Sequence, residues 1–445
     1  MRKDIALQRY LERHIEQGLP NAPGEADRWK YVLVIPAYDE APQLLQTLSL
    51  LNADGPILVI VVLNRPDSNP DSQINSALRG AISKLERCDD NAHKADSIYH
   101  LNNSTDIFCY DMERLRGPAP SAQGVGLARK IGCDIALLWQ SQDAISGEWI
   151  CSTDADALLP LDYFSRLKEF DDYSTAVYPF VHMPGSSLEI NRATALYEIR
   201  LHQYVLGLEY AQSPYAFHTL GSCIAVKGRH YVQVRGYPKR SGGEDFYMLS
   251  KLAKLGPITR LSGECIALQS RASHRVPFGT GPAVQKIMED NNNSPLYYHP
   301  QVFEALRVLL LVVNNVRDHA LDELPKLLIA AGLGRELTHT TTEVLMAMGI
   351  AQALEHCRKH GKSEEQFLRH FHQWFDGFRT LKFIHGLRDA DWPMQCLPSL
   401  FDLQPTLFPA SIDAAIDIDT LRTTIREHWQ WSISAADTNN TKKGS

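Results

Sequence analysis

The sequence predicts an α/β fold, a sheet flanked by helices, followed by a helical C-terminal domain. Three observations predict it. Two continuous apolar runs, Tyr31-Val-Leu-Val-Ile-Pro36 and Ile57-Leu-Val-Ile-Val-Val-Leu63, read as strands buried on both faces of a sheet. Residues 41–51 carry helical spacing between them, which makes a βαβ unit. From about residue 294 to about residue 386 the pattern changes to long helical stretches without a convincing strand.

The elements follow in order. The N-terminal segment MRKDIALQRYLERHIEQG predicts an amphipathic helix, and LPNAPGEADR a linker. After the βαβ unit, residues 72–88 read as helix and residues 97–110 as one strand with polar edges. Glycines open a further helix at Gly124-Val-Gly-Leu-Ala-Arg-Lys-Ile-Gly132, and Trp149-Ile-Cys-Ser-Thr153 is a short strand. Residues 160–215 hold two helical patterns, the second over about 190–210. Residues 217–226 predict a strand, 246–255 a helix, 258–269 a strand region and 270–280 a polar loop. The expected organisation is a helix and linker at 1–29, an α/β domain at 30–290, a helical domain at 291–432 and a disordered tail at 433–445.

Composition narrows the function. The chain has 445 residues, 44% of them hydrophobic, enough for more than one buried core. A formal net charge of −7 argues against general nucleic-acid binding, which needs a basic face. The eight cysteines form no CxxC pair, so neither a zinc knuckle nor a disulfide framework is expected. The N-terminus lacks the apolar core of a signal peptide. The apolar stretch at 306–313 is interrupted by Arg307 and falls short of the roughly 20 residues that span a bilayer. The expectation is a cytoplasmic protein that is not transmembrane, with peripheral membrane contact and self-association left open.

Five motifs could carry chemistry. Asp154-Ala-Asp156 directly follows a short strand, so both carboxylates can turn toward one hard cation; the alternative is a solvated acidic turn. In Gly242-Gly-Glu244-Asp245 the glycines leave room for a ligand, and Asp245 is a candidate general base with Glu244 as its partner; the alternative is plain helix capping. Pro36-Ala37-Tyr38-Asp39-Glu40 follows the first strand, where Tyr38 offers a ring and the acids offer acceptors, or where Asp39 merely caps a helix. Gly126 and Arg129 sit where an anion could meet a helix start, or where a tight turn enters an ordinary helix. This glycine pair comes too late in the chain for a dinucleotide fingerprint, which speaks against a dehydrogenase. In Ser273-His274-Arg275, His274 could add a nitrogen ligand and Arg275 could meet a diphosphate, or both could be exposed loop residues. Ligands of open α/β sheets bind beyond the carboxyl ends of strands, where several of these motifs fall.

In their order along the chain, VIPAYDE, VVLNRPDS, GVGLARKIG, STDAD and GGED resemble family 2 of the glycosyltransferases over roughly residues 30–285. The resemblance implies the GT-A fold, a Rossmann-like mixed sheet flanked by helices, and a hexosyltransferase-like, metal-dependent transfer from a nucleotide-sugar donor. It implies donor contacts at Pro36, Ala37, Tyr38, Glu40, Asn64, Gly126, Arg129 and Asp154, with Ala128 also matching the third motif. It implies Mn2+ or Mg2+ at Asp154 and Asp156, and a base at Asp245 beside Glu244. The acceptor class, whether glycan, lipid or small molecule, is left open. The chain departs from the family at Asp39, where Asn is usual, and at Asn64-Arg65-Pro66, where an acid is common. It lacks the QxxRW motif of processive synthases. The His274 loop is similar to the late histidine ligand of some retaining GT-A enzymes, so inverting and retaining outcomes both stay open. A nucleotidyltransferase, which also pairs acids with a metal, and a non-catalytic nucleotide-binding scaffold are the alternatives.

Overall fold

The structure, a computed structural model, describes residues 5–24, 26, 28–88, 96–170, 172–270, 279–290, 296–409 and 416–433. In chain order the elements are α1 (Ile5–Arg13), β1 (Tyr31–Ala37), α2 (Leu44–Leu48), β2 (Ile57–Leu63), α3 (Ser76–Ile82), β3 (Glu86–Arg87), β4 (Asp96–Asn102) and β5 (Thr105–Asp111). Next come α4 (Met112–Arg116), α5 (Gly124–Ser141), β6 (Trp149–Ser152), β7 (Thr175–Val177), β8 (Phe180–Met183), α6 (Leu188–Tyr210), β9 (Ile224–Lys227), α7 (Gly228–Gln233) and α8 (Glu244–Leu252). The remainder are β10 (Thr259–Arg260), β11 (Gly263–Glu264), β12 (Ile266–Gln269), α9 (Thr280–Glu289), α10 (Pro300–Val316), α11 (Leu324–Ala330), α12 (Arg335–Ala347), α13 (Ile350–His360), α14 (Glu364–Trp374), α15 (Gly377–Ala390), α16 (Ile418–His428) and β13 (Trp431–Ser432). The chain is thus mixed α/β, with a large mixed sheet flanked by helices and a helical C-terminal region. No helix among the described residues is long and apolar enough to cross a membrane.

The chain divides into two compact units. The first takes Met1–Leu188, Thr219–Ala283 and Trp431–Ser445 and contains the sheet. Its strands lie in the order β10-β7-β9-β6-β1-β2-β5-β4-β3. β1, β2, β5 and β6 run parallel, β9 runs antiparallel to β6 and β7, and β4 runs antiparallel to β5 and β3. Register aligns the carboxyl ends: Ala37 lies opposite Leu63, and Leu63 opposite Asp111. β6 pairs with β1 only as far as Ser152 opposite Val34, so Pro36 has no ladder partner on that side to disappoint. All seven residues of β2 are buried, which is why its sequence is an unbroken apolar run.

Helix α5 lies against β1 and β2, and Gly132 permits the approach: a Cβ there would stand 2.4 Å from the Val34 side chain. The same helix carries Asp134, buried among donors. Tyr10 Oη at 2.6 Å, Tyr231 Oη at 2.8 Å, Lys130 Nζ at 2.9 Å and the Glu16 amide at 2.8 Å all donate to its carboxylate, which fastens α1 and α7 to α5. The second unit, Glu189–His218 with Val284–Gln430, is built from helices. One apolar cluster centres on α10, with Phe303, Leu306 and Leu309 packed with Phe367, Phe371 and Phe383. A second joins Ile199 and Leu206 of α6 to Leu421 and Ile425 of α16. Within it Glu198 takes a two-point ion pair from Arg422, at 2.8 and 3.0 Å.

Several elements differ from their sequence expectations. Residues 97–110 are two strands, β4 and β5, because Asn102 accepts a hydrogen bond from the Ser104 amide at 2.9 Å and turns the chain. The strand expected at 217–226 begins only at Ile224, since Gly221–Cys223 forms a 3-10 turn. The region 258–269 is broken into three short strands, and the helices expected at 41–51 and 72–88 shrink to Leu44–Leu48 and Ser76–Ile82. The first helical pattern in 160–215 is a 3-10 segment, Ser165–Phe170. The expected tail lies almost wholly outside the described residues.

The closeness of α5 to the sheet makes Gly132 a sensitive position. Gly132→Ala should destabilise the protein by about 1–3 kcal/mol through overpacking. Urea unfolding of the variant beside wild type checks this; an unchanged midpoint would mean that Val34 and Val62 yield without cost.

Candidate active site

The parallel strands β5-β2-β1-β6 have the sequential order 3-2-1-4, so the chain direction of the winding reverses between β1 and β6. At such a switch point the connections leave in opposite directions and open a crevice beyond the strand ends. Tyr38, Asp39 and Glu40 leave β1 there, and Thr153, Asp154 and Asp156 leave β6. Backbone bonds tie the rim: the Asn64 amide donates to Ala37 O at 2.9 Å and the Thr153 amide to Val34 O at 3.1 Å. Asn75, fully buried, donates to Asn64 O at 2.9 Å and accepts from the Asp39 amide at 3.0 Å. That contact holds Asp39 in a left-handed conformation, φ 55°, a region that Asn and Asp tolerate better than most residues.

The centre of the site is Arg129, on the second turn of α5 and only 2% exposed. Its Nη1 donates to Ser152 Oγ at 2.8 Å and Gly221 O at 3.1 Å, its Nη2 to Asp154 Oδ1 at 2.7 Å and its Nε to Glu244 Oε1 at 3.2 Å. Antiparallel pairing explains the convergence. Ser152 lies opposite Ile224, so the turn before β9 meets the residues after β6. The Ser222 hydroxyl accordingly bonds Asp154 Oδ2, and Thr153 Oγ1 donates to Ser222 O at 2.9 Å. A Cβ on Gly221 would stand 2.5 Å from the guanidinium, which would have to shift to admit it. Burial works against the charge on Arg129, but Asp154 and Glu244 outweigh it and hold its pKa above the ordinary guanidinium value.

Glu244 and Asp245 open α8 after Gly243, whose φ of 69° suits glycine. Among the described residues no atom lies within 4 Å of where a Cβ would sit on Gly243. Glu244 is buried, and that burial raises its carboxyl pKa while Arg129 opposes the rise. Asp245 is half-buried and accepts from the Phe246 amide at 2.7 Å. Burial, reinforced by the neighbouring Glu244 charge, pushes its carboxyl up to about 7. A carboxyl poised near neutrality has the character of a general base.

The other sequence-predicted residues are placed as follows. Pro36 and Ala37 are buried in β1, and Tyr38 is half-buried, its hydroxyl accepting from Asn69 Nδ2 at 2.7 Å. Asn64 is 4% exposed, so its side chain faces the interior more than the crevice. Gly126 donates its amide to Arg240 O at 2.9 Å, and a Cβ on it would stand 2.5–2.6 Å from the backbone of Pro238 and Arg240. The lack of a side chain at Gly126 therefore admits a crossing chain segment. Glu40, Asp154 and Asp156 are half-buried at the rim. His274 and Arg275 lie outside the described residues. Gly221, Ser222 and Asn75 escaped the sequence reading, and Ser152 entered it only as the first residue of STDAD; Gly221 and Ser222 fall inside the stretch expected as a strand, which marks neither a turn nor a partner.

The two acids after β6 offer hard oxygen donors, which suit Mg2+ or Mn2+. Asp154 accepts from Arg129 and Ser222, so a cation there would share its carboxylate oxygens with those donors. A separate cavity of about 410 Å³, lined by residues including Arg79, Arg87, Tyr99, Asp111 and Arg114, contains none of these acids.

Fold and site together define a mixed-sheet α/β protein with an arginine-bridged carboxylate cluster near the switch point of its sheet. Compared with protein-family models and with curated proteins, the chain matches none.

Removing one member of a buried ionic cluster leaves charges without partners. Arg129→Ala should therefore cost about 3–5 kcal/mol of stability. Adding Glu244→Gln should recover part of that loss. Denaturant melts of the single and double variants test the bridge; additive effects would mean that Arg129 and Glu244 act independently.

Proposed function

We propose that the chain is a GT-A glycosyltransferase that moves a sugar from a nucleoside-diphosphate sugar to an acceptor hydroxyl in one inverting displacement. The observation that carries this reading is Arg129. One buried guanidinium bonds an acid of Asp154-Ala-Asp156 and an acid of Gly242-Gly-Glu-Asp245, so the two acidic motifs that the resemblance assigns to donor and base lie in one site. The switch-point setting of Asp154 and the mixed character of the sheet support the same reading.

On this account Asp245 takes the proton from the acceptor hydroxyl as the acceptor oxygen bonds the anomeric carbon. The bond from that carbon to the diphosphate oxygen breaks, and the nucleoside diphosphate leaves with its electron pair. Asp154 and Asp156 would hold Mn2+ or Mg2+, which when bound offsets negative charge on the departing diphosphate. Arg129 fixes Asp154 and Glu244 so that neither swings into the space of the other. The rim residues Tyr38 and Glu40 border the space that the nucleoside would take.

The deciding experiment is a screen of donor hydrolysis over common nucleotide sugars, with and without Mn2+. Absence of both binding and hydrolysis for every donor would sink the reading, and full turnover after chelation would remove the metal from it. Asp156→Asn should abolish turnover and weaken donor binding. Asp245→Asn should lower turnover at least about 100-fold while donor affinity by calorimetry changes little. If donor binding collapses too, Gly242–Asp245 belongs to the donor site instead.

The raised carboxyl of Asp245 gives the pH dependence a sign. The base acts ionised, so turnover should rise with pH and level off above about 7. In the fold the proton is held more tightly than in the unfolded chain, so this carboxyl's contribution to stability is lost as pH rises toward about 7. Asp245→Asn should consequently be no less stable than wild type at pH values above that point, although nearly inactive. A pH profile without an acidic limb, or an Asn variant that melts early, would remove Asp245 from the base role.

A further inference from the structure

At the far edge of the sheet three adjacent strands bring together a thiol, an imidazole and a carboxylate. His100 on β4 is the register partner of Asp106 on β5. Glu86 on β3 lies opposite His100 on its other side, and Cys88 follows two residues later, its amide donating to Ile98 O at 2.9 Å. His100 Nδ1 stands 2.7 Å from Asp106 Oδ1, Cys88 Sγ stands 3.9 Å from the same oxygen, and all three ligand atoms lie within 4.8 Å of one another. Cys88 is not in a disulfide.

We propose that Cys88, His100 and Asp106 form a binding site for a divalent transition metal of the zinc class, separate from the acid pair after β6. Bond lengths of about 2.0–2.3 Å at tetrahedral angles would set nitrogen and oxygen ligands roughly 3.3 Å apart, and sulfur and oxygen roughly 3.5 Å apart. The 2.7 and 3.9 Å separations lie on either side of these values, so small shifts bring both pairs with Asp106 to metal spacing, and Cys88 and His100, within 4.8 Å of each other, close on the same ion. The other oxygen of Asp106 accepts from Trp29 Nε1 at 2.9 Å and from Arg28 at 3.4 Å. Such outer hydrogen bonds orient a ligating carboxylate and leave its inner oxygen for the metal. Thiolate, carboxylate and neutral imidazole together balance the charge of a divalent ion. Binding releases the Cys88 thiol proton to solvent, so affinity rises with pH.

Donor chemistry separates this site from the other. Sulfur and imidazole favour zinc-class ions, whereas Asp154 and Asp156 offer only hard oxygens, which suit magnesium and manganese. His100 is exposed, so a fourth ligand position can be reached from solvent. The ion would also fasten β3, which is two exposed residues long, to the strands beside it. Sequence spacing hides this site because each ligand comes from the neighbourhood of a different strand.

The test uses the full chain, stripped with chelator and titrated with Co2+ as a spectroscopic stand-in. A thiolate-to-cobalt charge-transfer absorption should appear and be displaced by one equivalent of Zn2+ but not by excess Mg2+. Cys88→Ser should abolish the absorption, and His100→Ala, at an exposed position, should weaken Co2+ binding about tenfold or more, at least the loss seen on removing an outer-shell partner. Asp156→Asn should leave the absorption intact, which keeps the outcome independent of the transferase reading. Absence of the thiolate absorption in wild type, or its survival in Cys88→Ser, overturns the proposal. A folded Cys88→Ser, shown by unchanged circular dichroism, is the condition for reading its result.

Discussion

A guanidinium taken out of water at the rim of a sheet must be supplied with acceptors, and the region around Arg129 is arranged to supply them. Ser152 closes the strand before the first acid pair, Gly221 and Ser222 form the turn before the antiparallel strand, and Glu244 opens the helix of the second pair. Four stretches of chain are located against one another by that charge. The arrangement is costly, because each buried ion forfeits hydration, and that loss offsets much of the attraction within the cluster. What it secures is a constant position for Asp154 and Glu244.

Asp245 shows what that rigidity makes available. Among the described residues no guanidinium bonds it, it lies beside the buried Glu244, and its proton is retained to about neutral pH. Two adjacent acids are thereby driven to different tasks: Glu244 is tied into the ionic bridge, and Asp245 is left able to exchange a proton. The helix beneath them begins at a left-handed glycine, which turns the chain sharply.

The sheet carries two kinds of polar site, at different places and for different reasons. Near the switch point, strand ends converge because the connections leave in opposite directions, and hard oxygen donors gather there. At the β3 edge, Cys88, His100 and Asp106 meet because antiparallel pairing sets residues of neighbouring strands side by side. An edge strand of two residues has little hydrogen bonding to hold it, so side-chain ties have greater relative weight there.

The amino-acid sequence by itself determined the parts whose information is local. The unbroken apolar runs of β1 and β2 are legible because strands buried on both faces need no alternation. The acids at 154 and 156 and the pair at 244 and 245 are legible because each stands directly beyond a strand or before a helix. Tertiary structure decided what these residues touch. It broke residues 97–110 at Asn102 into a hairpin, gave Gly126 to a crossing backbone, and drew Glu189–His218 into the helical unit. It brought Ser152, Gly221, Ser222 and Asn75 to the rim, and Cys88 to His100 and Asp106. The physical reason is that strand order and the antiparallel entry of β9 beside β6 are fixed by burial and pairing among distant segments. A pattern read along the chain records which face of an element is apolar, but not which other element covers it.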